Sequence, residues 1–187
     1  MIERQRRIRS DSVANRDRIV QAATRMFGER GVEVPLDAIA TAAGVGSATL
    51  HRHFRGRLEL VHAVLDSEAD RLAARAGELS SSGSPSWALR TWLLELIAFT
   101  TSFRGLAILL ADQDADSTLQ ARHRALTDAC QRLLASAQAD GDVRATLDAG
   151  DLLKIAHGIA VAACGSTETA GRLLDLFNTG LTDKTGP

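Results

Sequence analysis

Polar side chains crowd positions 47 to 57, among them Ser47, Thr49, His51, Arg52, His53 and Arg57. All can donate hydrogen bonds, the arginines carry fixed charge, and the histidines can titrate near neutral pH. Their chemistry is recognition. A guanidinium fork pairs with a phosphate or with guanine, hydroxyls bond to either, and a charged imidazole grips phosphate better than a neutral one. Leu50 and Phe54 lie four apart in the same run. A short helix over 46–54 would bury these two and leave the polar groups on the opposite arc. Ala48 is small enough for close approach. The free N–H groups expected near Gly46 and Ser47 could hold a phosphate.

Such a helix needs a brace. Ile19, Ala22, Ala23, Met26 and Phe27 form the apolar stripe of a helix over about 16–30, ended by Gly31. Pro35 suits the first turn of a second helix, in which Leu36, Ile39, Ala40 and Ala43 line one face. Gly44 then breaks the pattern, and the polar helix follows. Two helices of about two turns joined by a tight glycine turn make a helix-turn-helix. Its second helix fits a DNA major groove, about 12 Å wide, while the first helix braces it. Thr41, on the bracing helix, is a candidate for a backbone contact.

Residues 16–65 resemble the DNA-binding head of the TetR family of transcriptional regulators. The resemblance rests on RDRIVQAATRMFGERG, LDAIATAAGVG, SATLHRHF and RLELVHAVL, with the glycine turn, the TL pair and the HF pair in register. VPLDAIA, GVG and TLHRHF further resemble an actinobacterial branch, the SbtR-like regulators. Several positions depart from the family pattern. Pro35 and Gly46 stand where hydroxyl caps are usual, His51 where Tyr or Phe is usual, Arg57 in place of Lys, and Leu58 in place of an acid. Leu58 is expected to pack inward.

The resemblance implies DNA-binding roles for Thr41, Gly46, Ser47, Thr49, His51, Arg52, His53 and Arg57. Ser47 and Thr49 would line the groove wall, and Arg52 would contact a base or phosphate. His51, His53 and Arg57 would anchor phosphates. The resemblance also implies a homodimer joined by the last two long helices, over about 150–181. There Ala156, Gly158, Ala160, Ala162 and Ala163 would permit close approach, and Leu173, Leu174 and Phe177 would supply apolar contact. An unidentified small-molecule effector would bind the C-terminal body, with Trp92, Phe99, Phe103, Leu126 and His157 as candidates. Plain core is the commoner role for such residues, and for His157 a bonded core histidine or an interface residue is the commoner one. Repression of transcription, relieved by that effector, is the family's habit.

Composition agrees with an all-α fold of about nine helices. Aromatic residues make up only 4% of the 187, Tyr is absent and Pro occurs three times, which leaves little material for a strand-rich protein. The overall charge of -1 hides an asymmetry. Residues 1–60 carry 11 basic against 7 acidic side chains, and the rest carry 11 against 16. A basic head on an acidic body suits a double-stranded DNA partner.

The reading divides the chain into a basic flexible arm (1–14), a DNA-binding domain (15–60) and an effector-binding and dimerisation domain (61–187). SSSGSPS, residues 80–86, is the best linker candidate, with Ser84 as N-cap and Pro85 as first helical residue. Body helices are expected from Ser86 to about Thr101, from Ser117 to Ala139, from Asp148 or Gly150 to Cys164, and from Thr167 to Leu181. Phe103–Leu110 is expected as a further short apolar segment.

Cys130 and Cys164 make no framework and are expected as buried small residues in a reducing cytoplasm. No run is long enough to span a membrane, and no signal peptide is expected. Asp112, Asp114 and Asp116 alternate like the start of a calcium loop, but Ser117 and His123 stand where the loop needs Gly and Glu. A solvated loop is expected, with no metal and no cofactor. Motifs for nucleotide, serine-hydrolase or zinc-protease chemistry are missing, which weakens an enzyme reading. A helical ligand-binding or interaction protein that has lost DNA binding is the other alternative.

Overall fold

The computed structural model describes residues 2–102 and 117–181, all in helices and the turns between them. The helices are α1 (Ile2–Arg30), α2 (Leu36–Ala42), α3 (Ser47–His53), α4 (Arg57–Leu79), α5 (Pro85–Ser102), α6 (Ser117–Ala139), α7 (Ala149–Ala162) and α8 (Thr167–Leu181). The expected segment Phe103–Leu110 and the aspartates 112, 114 and 116 lie outside the described residues. The all-α expectation holds, and eight helices are described of the nine expected.

Two compact units divide the chain, with the boundary between Ser67 and Glu68, inside α4. In the first unit, α1 packs on α2 and α3, and α2 packs on α3. Ile19, Phe27, Ile39, Leu50 and Phe54 are at most 1% exposed, which makes one continuous apolar seat. Arg16 sits over the Phe54 ring, 5.3 Å from its centroid, and covers one edge of that seat.

Helix α1 begins at Ile2, so the stretch expected as a flexible arm continues the helix. Residues 2–27 contain no Gly or Pro, and Arg, Glu and Gln are good helix formers. Extending an existing helix costs far less than nucleating a new one. Low apolar content therefore does not count against the helical path of this stretch. Leu58 is also corrected: it is 36% exposed, while Leu60 and Val61 at 0% carry the α4 stripe.

In the second unit, α5 packs on α6, α7 and α8, and α7 packs on α6 and α8. Leu72, Ala76 and Leu79 of α4 share this core with Leu89, Trp92, Leu93, Ile97, Cys130, Leu133 and Leu134. The Trp92 indole Nε1 donates to the Leu72 carbonyl at 2.8 Å, so its one polar atom is satisfied inside the core. Glu95 on α5 accepts from Arg71 at 3.3 Å and Arg75 at 3.0 Å, both on α4.

The serine-rich stretch 80–86 is a turn inside this unit rather than a linker between domains. Its capping is as expected: the Ser84 hydroxyl accepts from Trp87 N at 3.3 Å, and α5 starts at Pro85. Helix α7 is capped by Asp148, which accepts from Asp151 N at 2.8 Å. Helix α8 is capped by Ser166, which accepts from Thr169 N at 3.1 Å.

The two thiols differ. Cys130 is buried and Cys164 is exposed, contrary to the expectation that both are core. Burial disfavours the thiolate and pushes the Cys130 thiol up to about 12. The thiolate is the reactive form. At pH 8 an alkylating reagent should therefore modify one thiol per native chain, at Cys164, and two in denaturant. Intact-mass measurement checks this, and rapid native modification of Cys130 would contradict it.

Candidate nucleic-acid interface

The turn between α2 and α3 fixes the geometry of the site. Gly44 has φ of +66°, a left-handed conformation costly for side-chain-bearing residues. A Cβ there would meet only Arg18 Nη1 at 3.8 Å, so backbone conformation rather than space calls for glycine. Gly44 N donates to the Thr41 carbonyl and Val45 N to the Ala40 carbonyl, each at 3.0 Å. These two bonds close α2 in a Schellman motif and turn the chain at once into α3.

Pro35 is the N-cap of α2, one residue before the expected first-turn position. Its carbonyl accepts from Ala38 N at 3.0 Å and Ile39 N at 3.3 Å, but it supplies no side-chain cap. Gly46 caps α3 without a side chain and with an extended backbone, φ −73° and ψ 151°. Both hydroxyl caps usual in the resembled family are thus absent.

The arc expected on α3 forms as the 3.6-residue period requires. Leu50 and Phe54 are buried, and Ser47, Ala48, His51 and Arg52 are exposed. Thr49 is half-buried. Among the described residues, His51 and Arg52 make no hydrogen bond or ion pair. Their donors remain available to a partner.

Three expected contact residues are engaged differently. Arg57 is half-buried, and its Nη1 donates to the carbonyl of Val34 at 2.7 Å and to that of Val32. It ties the α1–α2 connection to the start of α4. Thr41 is exposed, but its hydroxyl donates to the Asp37 carbonyl of its own helix at 2.9 Å. His53 is half-buried, and its Nε2 is enclosed without a hydrogen-bond partner in the structure.

One residue escaped the sequence reading. Asp37, in the first turn of α2, accepts a hydrogen bond from the Ser47 hydroxyl at 2.5 Å. No pattern in the sequence flags a pair ten residues apart across a turn. An acid in the first turn of a helix is also commonly explained by the helix dipole alone.

The second unit scatters the effector candidates. Trp92 is fully buried with its indole satisfied. Phe99 and Leu126 are half-buried and pack against the core. His157 is exposed on the outer side of α7, apart from those apolar residues. Phe103 lies outside the described residues. A shallow surface depression on α6 is lined by Gln120, His123, Arg124, Thr127 and Asp128, none of them a candidate.

The interface expectation also needs revision. Ala156, Ala160, Ala163 and Leu174 fill the unit's own core. His157, Gly158, Val161 and Ala162 form the exposed stripe of α7, with Val161 41% exposed. On α8, Leu176 is 70% exposed and is flanked by half-buried Leu173 and Phe177. The close spacing of small residues on α7 thus serves two opposite faces of one helix.

Residues 19–64 match the sequence profile of bacterial regulatory proteins of the tetR family. Residues 84–183 match the C-terminal domain of SbtR-like transcriptional regulators. A TetR transcriptional regulator from Streptomyces coelicolor is 32% identical with a TM-score of 0.79, over 91% of this chain and 99% of that one. A TetR regulatory protein from Mycobacterium vanbaalenii is 28% identical with a TM-score of 0.74, over 94% and 99% of the two chains. An HTH-type transcriptional regulator of Staphylococcus aureus strain USA300 is 38% identical over 64 residues, 34% of this chain and 35% of that protein's length. The chain belongs to the TetR family of bacterial transcriptional regulators and carries an SbtR-like C-terminal domain. Its family and its structural neighbours are regulators, not enzymes. Among the described residues, no helix is long and apolar enough to cross a membrane.

The bonds made by Arg57 lead to a discriminating outcome. Replacing Arg57 by Met removes two charged donor bonds to carbonyls and should lower unfolding stability by about 1–3 kcal/mol. Urea unfolding checks this. An unchanged midpoint combined with weakened DNA binding would show Arg57 acting as a phosphate anchor instead.

Proposed function

We propose that this chain is a homodimeric repressor that reads a pseudo-palindromic duplex operator, one α3 per half-site, and is released by a small-molecule effector. The observation that carries the DNA reading is the exposed arc of α3. Ser47, His51 and Arg52 stand free of the core while Leu50 and Phe54, at 0% and 1% exposure, hold the helix from behind. Arg52 supplies the bidentate base or phosphate contact, His51 a phosphate contact, and Ser47 with Thr49 the groove wall. Thr41, Gly46, His53 and Arg57 shape and support this surface, and their backbone and free atoms make secondary contacts.

Two-fold symmetry would place the two recognition helices about one turn of DNA apart, roughly 34–36 Å. The exposed stripe of α7 with Leu176 of α8 supports the dimer. Small residues at 158 and 162 allow close helix approach, and Val161 and Leu176 are large apolar groups otherwise left in water. His157 lies on this same stripe, which makes it an interface residue rather than an effector ligand. Half-buried Phe99 and Leu126 are the best-placed of the effector candidates, since each borders the core without being sealed in it. Release would follow when the effector favours a conformation with wrongly spaced heads.

Selection from a random duplex library at two salt concentrations tests the reading. An enriched pseudo-palindrome with steep salt dependence is expected. Arg52→Ala should lower affinity for that duplex about tenfold or more while leaving helical content unchanged. Leu176→Glu should convert the dimer to a monomer in sedimentation and weaken operator binding. Absence of any enriched sequence would contradict the DNA reading, and a Leu176→Glu protein that stays dimeric would contradict the proposed interface.

A further inference from the structure

We infer that Asp37 fixes the hydrogen-bonding polarity of Ser47, so that each half-site requires an amino-bearing base, adenine or cytosine, on the strand facing Ser47. This deepens the reading of α3 as the DNA-contacting helix and rests on it. Ser47 opens α3, Asp37 lies in the first turn of α2, and both are exposed. The Ser47 hydroxyl donates to Asp37 Oδ1 at 2.5 Å.

A serine hydroxyl has one proton to give and two lone pairs to receive with. Here the proton is committed to a carboxylate, which only accepts. A hydrogen bond to an ionised acceptor is roughly twice as strong as one between neutral groups. A neutral base edge therefore does not win the proton back, and Ser47 Oγ meets the groove as an acceptor. In the major groove, adenine N6 and cytosine N4 donate, whereas guanine N7 and O6 and thymine O4 accept. Lone pairs on Ser47 match the first two and repel the others. A serine without such a neighbour bonds to either kind of edge and discriminates little.

Two further features act in the same direction. The neighbouring hydroxyl, Thr41, donates to the Asp37 main-chain carbonyl and leaves the carboxylate to Ser47. The charge on Asp37 also repels phosphate, so Ser47 is steered toward a base edge rather than the DNA backbone. The carboxylate itself can accept from a cytosine amino group, which reinforces the preference.

The test compares wild-type protein, Asp37→Ala and Ser47→Ala, each in the same random-duplex selection and then on matched duplexes. At one position per half-site, wild type should enrich adenine and cytosine over guanine and thymine. Swapping that base pair end for end should cost about tenfold in affinity. In Asp37→Ala the four base pairs at that position should bind within about threefold of one another, with the rest of the half-site unchanged. Ser47→Ala should flatten the same position. Retention of the amino preference in Asp37→Ala, or no position in wild type that responds to Ser47→Ala, would overturn the inference while leaving the DNA reading standing. No enrichment by wild type at all would sink the DNA reading and the inference together.

Discussion

The candidate surface on α3 depends on one constraint, the left-handed residue at Gly44 and the two hydrogen bonds that close around it. That turn sets the direction in which α3 leaves α2. Once the direction is set, Leu50 and Phe54 must fall on the seat made by α1 and α2, and the other arc of α3 must face outward. A short helix of two turns has little stability of its own in water. Tertiary packing, not propensity, keeps α3 helical. The exposed arc of α3 is therefore a product of the core behind it.

Helix α4 begins in the first unit and ends in the second, so each unit's core includes part of the same helix. Its second half is fixed to α5 by the Trp92 indole and by Glu95, which bridges two arginines one turn apart. Helix α7 has an analogous double role within the second unit. One face, through Ala156 and Ala160, completes the core, and the opposite face carries Val161 beside Gly158. A helix of small residues can pack closely on two sides, which explains why its sequence alone did not show which side belonged to which neighbour.

Much of the first unit was legible because its signals are local. The stripe of α1, the glycine at 44 and the Leu50–Phe54 pair each follow from helical period or from backbone conformation. The helical path of residues 2–14 was missed because low apolar content says nothing against extending a helix already begun. Leu58 was misplaced because three apolar residues, Leu58, Leu60 and Val61, crowd the first turns of α4, and only Leu60 and Val61 fall on its buried face. The charge of Arg57 suggests a phosphate ligand, and nothing in the sequence shows that it also reaches carbonyls 23 and 25 residues earlier in the chain. Asp37 was invisible for the same reason: its partner is set by the turn, not by sequence spacing. The effector site was the least legible part, since apolar pocket residues and apolar core residues have the same composition.

The central claim is that the outward arc of α3 is the surface that meets duplex DNA. Amide chemical-shift mapping of the intact protein against an enriched duplex tests it directly. The account predicts the largest changes at Ser47, Ala48, His51 and Arg52, with Leu50 and the interior of α1 little affected. Changes confined to α7 and α8, with α3 unmoved at saturating duplex, would contradict it.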